Sequence, residues 1–154
     1  MNKLNAIKKI ILSNKNSIFI ISNGLTSRIA NNFLKNNNSF YLLHAMGETL
    51  SVAIGIASFK KKQKIVVIDG DYNALMGSAS WHHLKKFKNI KYYILKDRLS
   101  TTTGFQEIPE LCIPKNLGIN IVNVKNKKIF TKNPESPKKI KTNFKNYLKN
   151  IGLI

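Results

Sequence analysis

The chain has 154 residues, 43% of them hydrophobic, and a formal charge of +19, which fits one globular domain over residues 1–154. No stretch approaches the ~20 apolar residues that span a bilayer, and the first residues lack a signal-peptide core, so we expect a cytoplasmic protein without membrane attachment. One cysteine excludes an intramolecular disulfide, and two arginines are few for reading nucleic acids, so we expect no specific nucleic-acid partner.

The first half of the chain predicts strands and helices in alternation. Apolar residues recur at helical spacing near the start, and β-branched runs bounded by polar residues follow. The predicted elements are a helix at 4–12, a strand at 18–21, a helix from Thr26 or Ser27 to about 35, a strand at 40–43 and a helix at 49–59. Small side chains in the last of these helices would let it lie close to a sheet.

The second half of the chain continues this alternation. It predicts strands at 64–69, 91–97 and 119–124, a helix at about 74–87 and a last helix at about 136–150. Strands that alternate with helices through short links predict an α/β fold. We expect a single doubly wound, mostly parallel sheet with helices on both faces.

Two of the predicted strands lead into acidic residues, Asp71 and Asp97. Because the ligands of an open α/β sheet bind at the carboxyl ends of its strands, these carboxylates could hold a hard divalent cation that bridges to phosphate. Asp71 by itself is equally compatible with a helix N-cap. Asn73 and the backbone N–H groups of Tyr72 and Asn73 lie near the start of a predicted helix, where phosphate is favoured.

Several segments, in their order and spacing, resemble thiamine-diphosphate (ThDP) enzymes. Asp71 and Asp97, 26 positions apart, resemble the metal and diphosphate motif of that family, a Gly-Asp-Gly followed at a distance by Asn. Surrounding segments narrow the resemblance to the phosphonopyruvate and sulfopyruvate decarboxylase group. They are Gly24–Arg28, Met46–Gly47, Gly70–Asp71 with Ala74–Met76, Ser100–Gln106, and the tail Asn133–Pro137 with Asn143–Phe144.

The resemblance implies a diphosphate-binding domain that binds ThDP and Mg²⁺. The implied metal ligands are the carboxylates of Asp71 and Asp97 and the backbone carbonyl of Leu99. Met46 would support the bent shape of the cofactor, and backbone groups of His44 and Met46 would bind its aminopyrimidine ring. The cofactor-binding set that the resemblance implies is His44, Ala45, Met46, Gly70, Asp71, Tyr72, Asn73, Asp97, Leu99 and Ser100.

The chain departs from the family motif at two positions. Tyr72 stands where the second glycine of Gly-Asp-Gly is found, and Asp97 stands where the asparagine is found. An aspartate keeps an oxygen ligand for magnesium, whereas a tyrosine adds a Cβ and a ring where glycine allows close approach of the backbone. We expect the site to tolerate both changes. A cofactor site that has decayed is the alternative.

The resemblance also implies a function shared between two chains. Family members need a glutamate from a separate pyrimidine-binding domain, for which this chain is too short. We therefore expect a heteromer whose partner carries that glutamate, with no catalytic residue on this chain, acting as a decarboxylase on a 2-oxo acid such as 3-phosphonopyruvate or sulfopyruvate. Ser100, Thr101 and Thr102 are candidates for contacting the anionic group of the substrate. The alternatives are a non-catalytic scaffold or regulatory subunit and a basic nucleic-acid-binding domain.

Overall fold

A five-stranded sheet is the central element of the computed structural model, which describes residues 1–125 and 134–154. Its strands are β1 (Ile18–Ile21), β2 (Ser39–Tyr41), β3 (Ile65–Gly70), β4 (Ile90–Lys96) and β7 (Ile119–Asn123). They are parallel and lie in the order β2-β1-β3-β4-β7. A short antiparallel hairpin, β5 (Leu99–Ser100) with β6 (Gln106–Glu107), lies between β4 and β7 in the chain. Asn133, the first residue of the tail that resembles the decarboxylase group, lies outside the described residues.

The inner strands are buried on both faces. In β1, Ile18 and Ile20 belong to one core cluster, whereas Phe19 and Ile21 belong to the other. Successive side chains of a strand point to opposite faces of the sheet. A strand covered on both sides is therefore apolar without interruption, which explains the continuous runs in the sequence.

Helices cover both faces of this sheet. They are α1 (Lys3–Leu12), α2 (Leu25–Ala30), α3 (Thr49–Phe59), α4 (Asp71–Met76), a 3₁₀ helix (Ser78–Lys86) and α5 (Pro137–Asn150). Ile7 of α1 and Ile29 of α2 pack on one face, and Leu50 and Ala53 of α3 pack on the other. The predicted doubly wound α/β fold is confirmed. None of the described helices has the length and apolar character needed to cross a membrane.

Two local predictions differ from the structure, and one short element is not predicted. Helix α2 ends at Ala30 rather than near residue 35. The single helix predicted at 74–87 is two helices that meet at Gly77, where an added Cβ would lie 2.2 Å from the carbonyl oxygen of Gly47. Only a glycine allows this approach of two backbones, and a glycine also weakens a helix. The β5–β6 hairpin is not predicted, because strands of two residues give no periodic signal.

The strand order leaves a crevice at one edge of the sheet. From β1 the chain moves outward to β2 and then returns past β1 to β3. In open α/β sheets, ligands bind at such a reversal, outside the carboxyl ends of the strands. Because β4 lies next to β3, the loops that follow β1, β3 and β4 meet at this edge. Asp71 directly follows β3 as the first residue of α4, and Asp97 directly follows β4.

Candidate functional site

A cleft opens between the loops that follow β1, β3 and β4. It is lined by Lys3, Ser22, Asn23, Gly24, Leu25, Thr26, Met46, Gly70, Asp71, Tyr72, Asn73, Leu99, Ser100, Thr101, Thr102 and Thr103. The structure thus brings together seven of the ten residues predicted to bind the cofactor; the other three, His44, Ala45 and Asp97, do not line the cleft. Hydroxyl groups and an ammonium group in the lining are donors that suit phosphate oxygens.

Asp71 joins the ends of β3 and β4. Its Oδ2 accepts hydrogen bonds from the backbone N–H groups of Asp97, at 3.0 Å, and Arg98, at 2.7 Å. Its Oδ1 accepts one from the N–H of Tyr72 at 3.0 Å. Burial raises the pKa of the Asp71 carboxyl, and the charge of Asp97 adds to the rise, whereas the three backbone donors oppose it. The N-cap of α4 is Gly70, so Asp71 does not act as the cap.

The Asp97 side chain lies near Asp71 and is paired with a lysine. Asp97 Oδ2 is 2.6 Å from the Nζ of Lys3, and only 3% and 5% of these two side chains are exposed. Asp97 Oδ1 accepts a hydrogen bond from the N–H of Leu99 at 3.1 Å. The structure therefore brings the two aspartates to one edge of the sheet. It also adds Lys3, which sequence reasoning missed because a lysine on an amphipathic helix is usually solvent-facing.

A buried polar network lies beneath the cleft. Asp69 accepts hydrogen bonds from the Tyr92 hydroxyl, at 2.9 Å, and from the side-chain amide of Asn73. The same amide group donates to Thr49 Oγ1 at 2.9 Å, and Asn73 Oδ1 accepts from the N–H of Gly47 at 2.9 Å. The Asn73 side chain therefore ties the loop after β2 to α4 and to the end of β3.

Asp69 is the centre of this network, and the pKa of its carboxyl is raised. It is 2% exposed, and burial raises the pKa of its carboxyl to about 7, although the hydrogen bonds from Tyr92 and Asn73 oppose the rise. Sequence reasoning assigned no role to Asp69 or Tyr92. The available signal was an acidic residue inside a continuous apolar run, because a buried carboxyl needs hydrogen-bond partners.

Tyr72 fits its position without backbone strain. It lies in the first turn of α4 and is 39% exposed. It does not have the positive φ that would call for a glycine; among the described non-glycine residues, only Asn37, Arg98, Phe105 and Asn116 do. The backbone of this turn therefore does not need the glycine that the family motif has here; tolerance of the tyrosine by the cofactor site stays a prediction.

The loop after β2 is divided between two surfaces. Met46 lines the cleft, whereas His44 and Ala45 are exposed and line a separate groove beside β2. The N–H of Met46 donates to the carbonyl of His44 at 3.2 Å, and Gly47 follows with a φ of +82°. This turn directs Met46 alone into the cleft. The predicted contacts of His44 and Ala45 with a cofactor stay predictions.

The donor set fits a hard cation in part. The carboxylates of Asp71 and Asp97 and the carbonyl of Leu99 are oxygen ligands, which Mg²⁺ prefers. The described residues contain no cluster of three or more His, Cys, Asp or Glu side chains that could hold a metal. Phosphate oxygens and water would have to complete the coordination, as is usual for magnesium.

Other ionisable residues lie away from the cleft. None of the four glutamates, Glu48, Glu107, Glu110 and Glu135, is among the described residues that line it. His82 and His83 are exposed on the 3₁₀ helix. The cleft of this chain therefore offers groups that bind anions and cations, and it offers no glutamate.

Known proteins match much of the chain, including most of the residues that line the cleft. The chain is 26% identical over 129 residues to a protein named sulfopyruvate decarboxylase subunit beta from Methanothermobacter thermautotrophicus, with 79% of this chain and 69% of that protein covered. It is 33% identical over 94 residues to a protein of the same name from Methanocaldococcus jannaschii, with 60% of this chain and 49% of that protein covered. A family model described as thiamine pyrophosphate enzyme, C-terminal TPP binding domain, matches residues 22–152, which include the loops after β1, β3 and β4. The chain therefore belongs to the C-terminal TPP-binding domain family of thiamine pyrophosphate enzymes.

Proposed function

We propose that this chain is the diphosphate-binding subunit of a ThDP- and Mg²⁺-dependent decarboxylase that acts on a 2-oxo acid. The observation that carries the proposal is the position of Asp71, whose carboxylate joins the ends of β3 and β4 in the lining of a hydroxyl-rich cleft. The names of the two curated relatives support sulfopyruvate as the substrate. A phosphonate analogue such as 3-phosphonopyruvate has the same 2-oxo acid with a different anionic group.

Different residues of the chain would bind the metal, the diphosphate and the rest of the cofactor. Asp71, Asp97 and the carbonyl of Leu99 would provide oxygen ligands to Mg²⁺, and the hydroxyls of Thr26 and Ser100 in the lining would donate to phosphate oxygens. Met46, which extends from the loop after β2 into the cleft, would pack against the cofactor. When bound, ThDP supplies the electron sink that stabilises the carbanion left by loss of carbon dioxide.

A partner chain is part of the proposal. The cleft has a volume of about 130 Å³, whereas sites for ligands of this size have volumes of about 300–1,000 Å³. The cleft also lacks a glutamate among its described residues. We infer that a pyrimidine-binding subunit provides the rest of the site and the activating glutamate, with residues 1–154 forming one domain of the heteromer.

The experiment that tests this function uses the chain co-purified with a candidate partner. Binding of ThDP in the presence of Mg²⁺ is measured by calorimetry, and release of carbon dioxide is measured from a panel of 2-oxo acids that includes sulfopyruvate and 3-phosphonopyruvate. We expect ThDP binding by the pair, decarboxylation of at least one of these acids and no activity of this chain alone. Asp71→Asn is expected to remove binding. A pair that binds ThDP and releases no carbon dioxide from any of the 2-oxo acids would contradict the proposed decarboxylase activity.

A non-catalytic subunit of the same fold is the second candidate. It is favoured by the contacts that already engage both aspartates: Asp71 accepts three backbone hydrogen bonds, and Asp97 is paired with Lys3. A carboxylate oxygen has more than one lone pair, so these contacts leave room for a metal. Absence of ThDP binding by the co-purified pair would decide for the non-catalytic subunit.

A further inference from the structure

Lys3 is a buried lysine that lines the cleft. The residue is 4% exposed and lines the cleft together with Asp71 and the hydroxyl-bearing residues. Lysine is almost never fully buried unless it is paired. The partner is Asp97, whose Oδ2 is 2.6 Å from Nζ. A fixed positive charge therefore stands beside Asp97, in the same cleft as Asp71.

The main chain holds Lys3 in this place. Asn2 forms a parallel bridge with Lys125, which follows β7, and the N–H of Lys3 donates to the carbonyl of Lys125 at 3.3 Å. Since β7 pairs with β4, this bridge sets the start of α1 beside the end of β4, where Asp97 lies. The buried side chains of Ala6 and Ile7 fix α1 against the sheet. The ion pair thus joins two anchored segments.

Each member of the pair is less stable in this place without the other. A positive side chain in the first turn of a helix is disfavoured by the helix dipole, and α1 has no acidic residue in its first turn. A carboxylate that is 3% exposed is likewise disfavoured when it has lost its partner, and more so beside the second carboxylate of Asp71. The pair therefore lowers the cost of burying each of the two charges.

We propose that Lys3 is a further component of the cofactor site, the counter-cation of Asp97 that keeps the cleft able to accept a diphosphate. The inference rests on the proposed function. Where the family motif has a neutral asparagine, Asp97 adds one negative charge, and Lys3 returns the summed charge of the site to that of Asp71 alone. Without the ammonium group, two adjacent carboxylates repel the diphosphate that the metal is meant to hold.

The test is calorimetry of ThDP binding in saturating Mg²⁺, on the full chain co-purified with its partner. We expect Lys3→Met to weaken binding at least tenfold. The double variant Lys3→Met with Asp97→Asn, which has an uncharged pair, is expected to return to within threefold of the wild type. Lys8→Met removes the same charge from the exposed side of α1 and serves as the matched control, with wild-type binding expected.

A second readout needs no cofactor. We expect Lys3→Met to lower the melting temperature of the ligand-free protein and the double variant to restore it, because the buried negative charge that Lys3 balanced is then gone. If Lys3→Met does not fold, the double variant carries the test: binding within threefold of the wild type supports the inference, and weaker binding overturns it.

The outcomes separate the inference from the proposed function. Equal ThDP affinity of Lys3→Met and the wild type, or a folded Lys3→Met that Asp97→Asn does not rescue, would overturn the role of Lys3 and leave the proposed function standing. Absence of ThDP binding by the wild-type pair would overturn both.

Discussion

Replacing Tyr92 by Phe is expected to destabilise the protein more above neutral pH than below it. The Tyr92 hydroxyl donates to Asp69 Oδ2 at 2.9 Å in the buried network, and Tyr92 is 1% exposed. When Asp69 is protonated, the variant loses a bond between neutral groups, worth roughly 1 kcal/mol. When Asp69 is ionised, it loses a bond to a carboxylate, worth roughly 2 kcal/mol.

The direction of this pH dependence follows from the pKa of Asp69, which burial raises from 3.8 to about 7. The stability that this carboxyl contributes is present below pH 4 and is lost as the pH rises through about 7. The difference between the two pKa values corresponds to about 4 kcal/mol. The Tyr92 hydrogen bond lowers the Asp69 pKa. Without it the pKa rises further, and the variant loses roughly 1 kcal/mol more than the wild type over the same range.

Urea unfolding followed by circular dichroism, at about pH 5.5 and about pH 8.5, measures this difference. Tyr93→Phe is the matched control, because Tyr93 follows Tyr92 in β4 but packs in the core cluster on the opposite face. We expect its effect to be the same at both pH values. A Tyr92→Phe effect that did not grow with pH would refute the reasoning, since Asp69 would then not ionise in contact with this hydroxyl.

Three further predictions concern α4 and the glycine that follows it. Asp71→Ala is expected to lower the free energy of unfolding by roughly 1–3 kcal/mol, because backbone N–H groups after β4 lose their acceptor, and to abolish ThDP binding in calorimetry. Gly77→Ala is expected to destabilise by about 1–3 kcal/mol or more in urea unfolding, because its Cβ would meet the Gly47 carbonyl oxygen at 2.2 Å. Its control, Gly55→Ala, has no neighbour within 4 Å and is expected to stabilise α3 by up to ~1 kcal/mol. Tyr72→Gly is expected to cost about 1 kcal/mol of helix stability and to leave ThDP affinity within about threefold, because the ring is 39% exposed.

Each of these predictions has an outcome that contradicts it. ThDP binding by Asp71→Ala would mean that the Asp71 carboxylate is not a ligand in the proposed metal site. Equal stability of the two glycine variants would mean that the approach of residues 47 and 77 is not tight. A Tyr72→Gly variant that bound ThDP much more tightly than the wild type would favour a site impaired by the tyrosine.

Local patterns were sufficient for the elements of the fold and for part of the site. The run Ile65–Ile68 is apolar without a break, which is typical of a strand covered on both faces, and the alternation of such runs with helical segments predicted the parallel sheet. The acidic residues after β3 and β4 could also be identified from the sequence, because they directly follow apolar runs. Resemblance to ThDP enzymes then assigned them to a diphosphate site, and the match over residues 22–152 confirmed the family.

Tertiary structure alone decided which distant residues complete the site. Lys3 and Asp97 are far apart in the sequence, and they meet because a main-chain bridge at Lys125 sets α1 beside the end of β4. Asp69 and Tyr92 meet because β3 and β4 are neighbours in a particular register. Propensity and periodicity describe the secondary structure of a segment, which depends on residues close to it in the chain. The charge of a buried group depends instead on what the rest of the fold brings within a few ångströms of it.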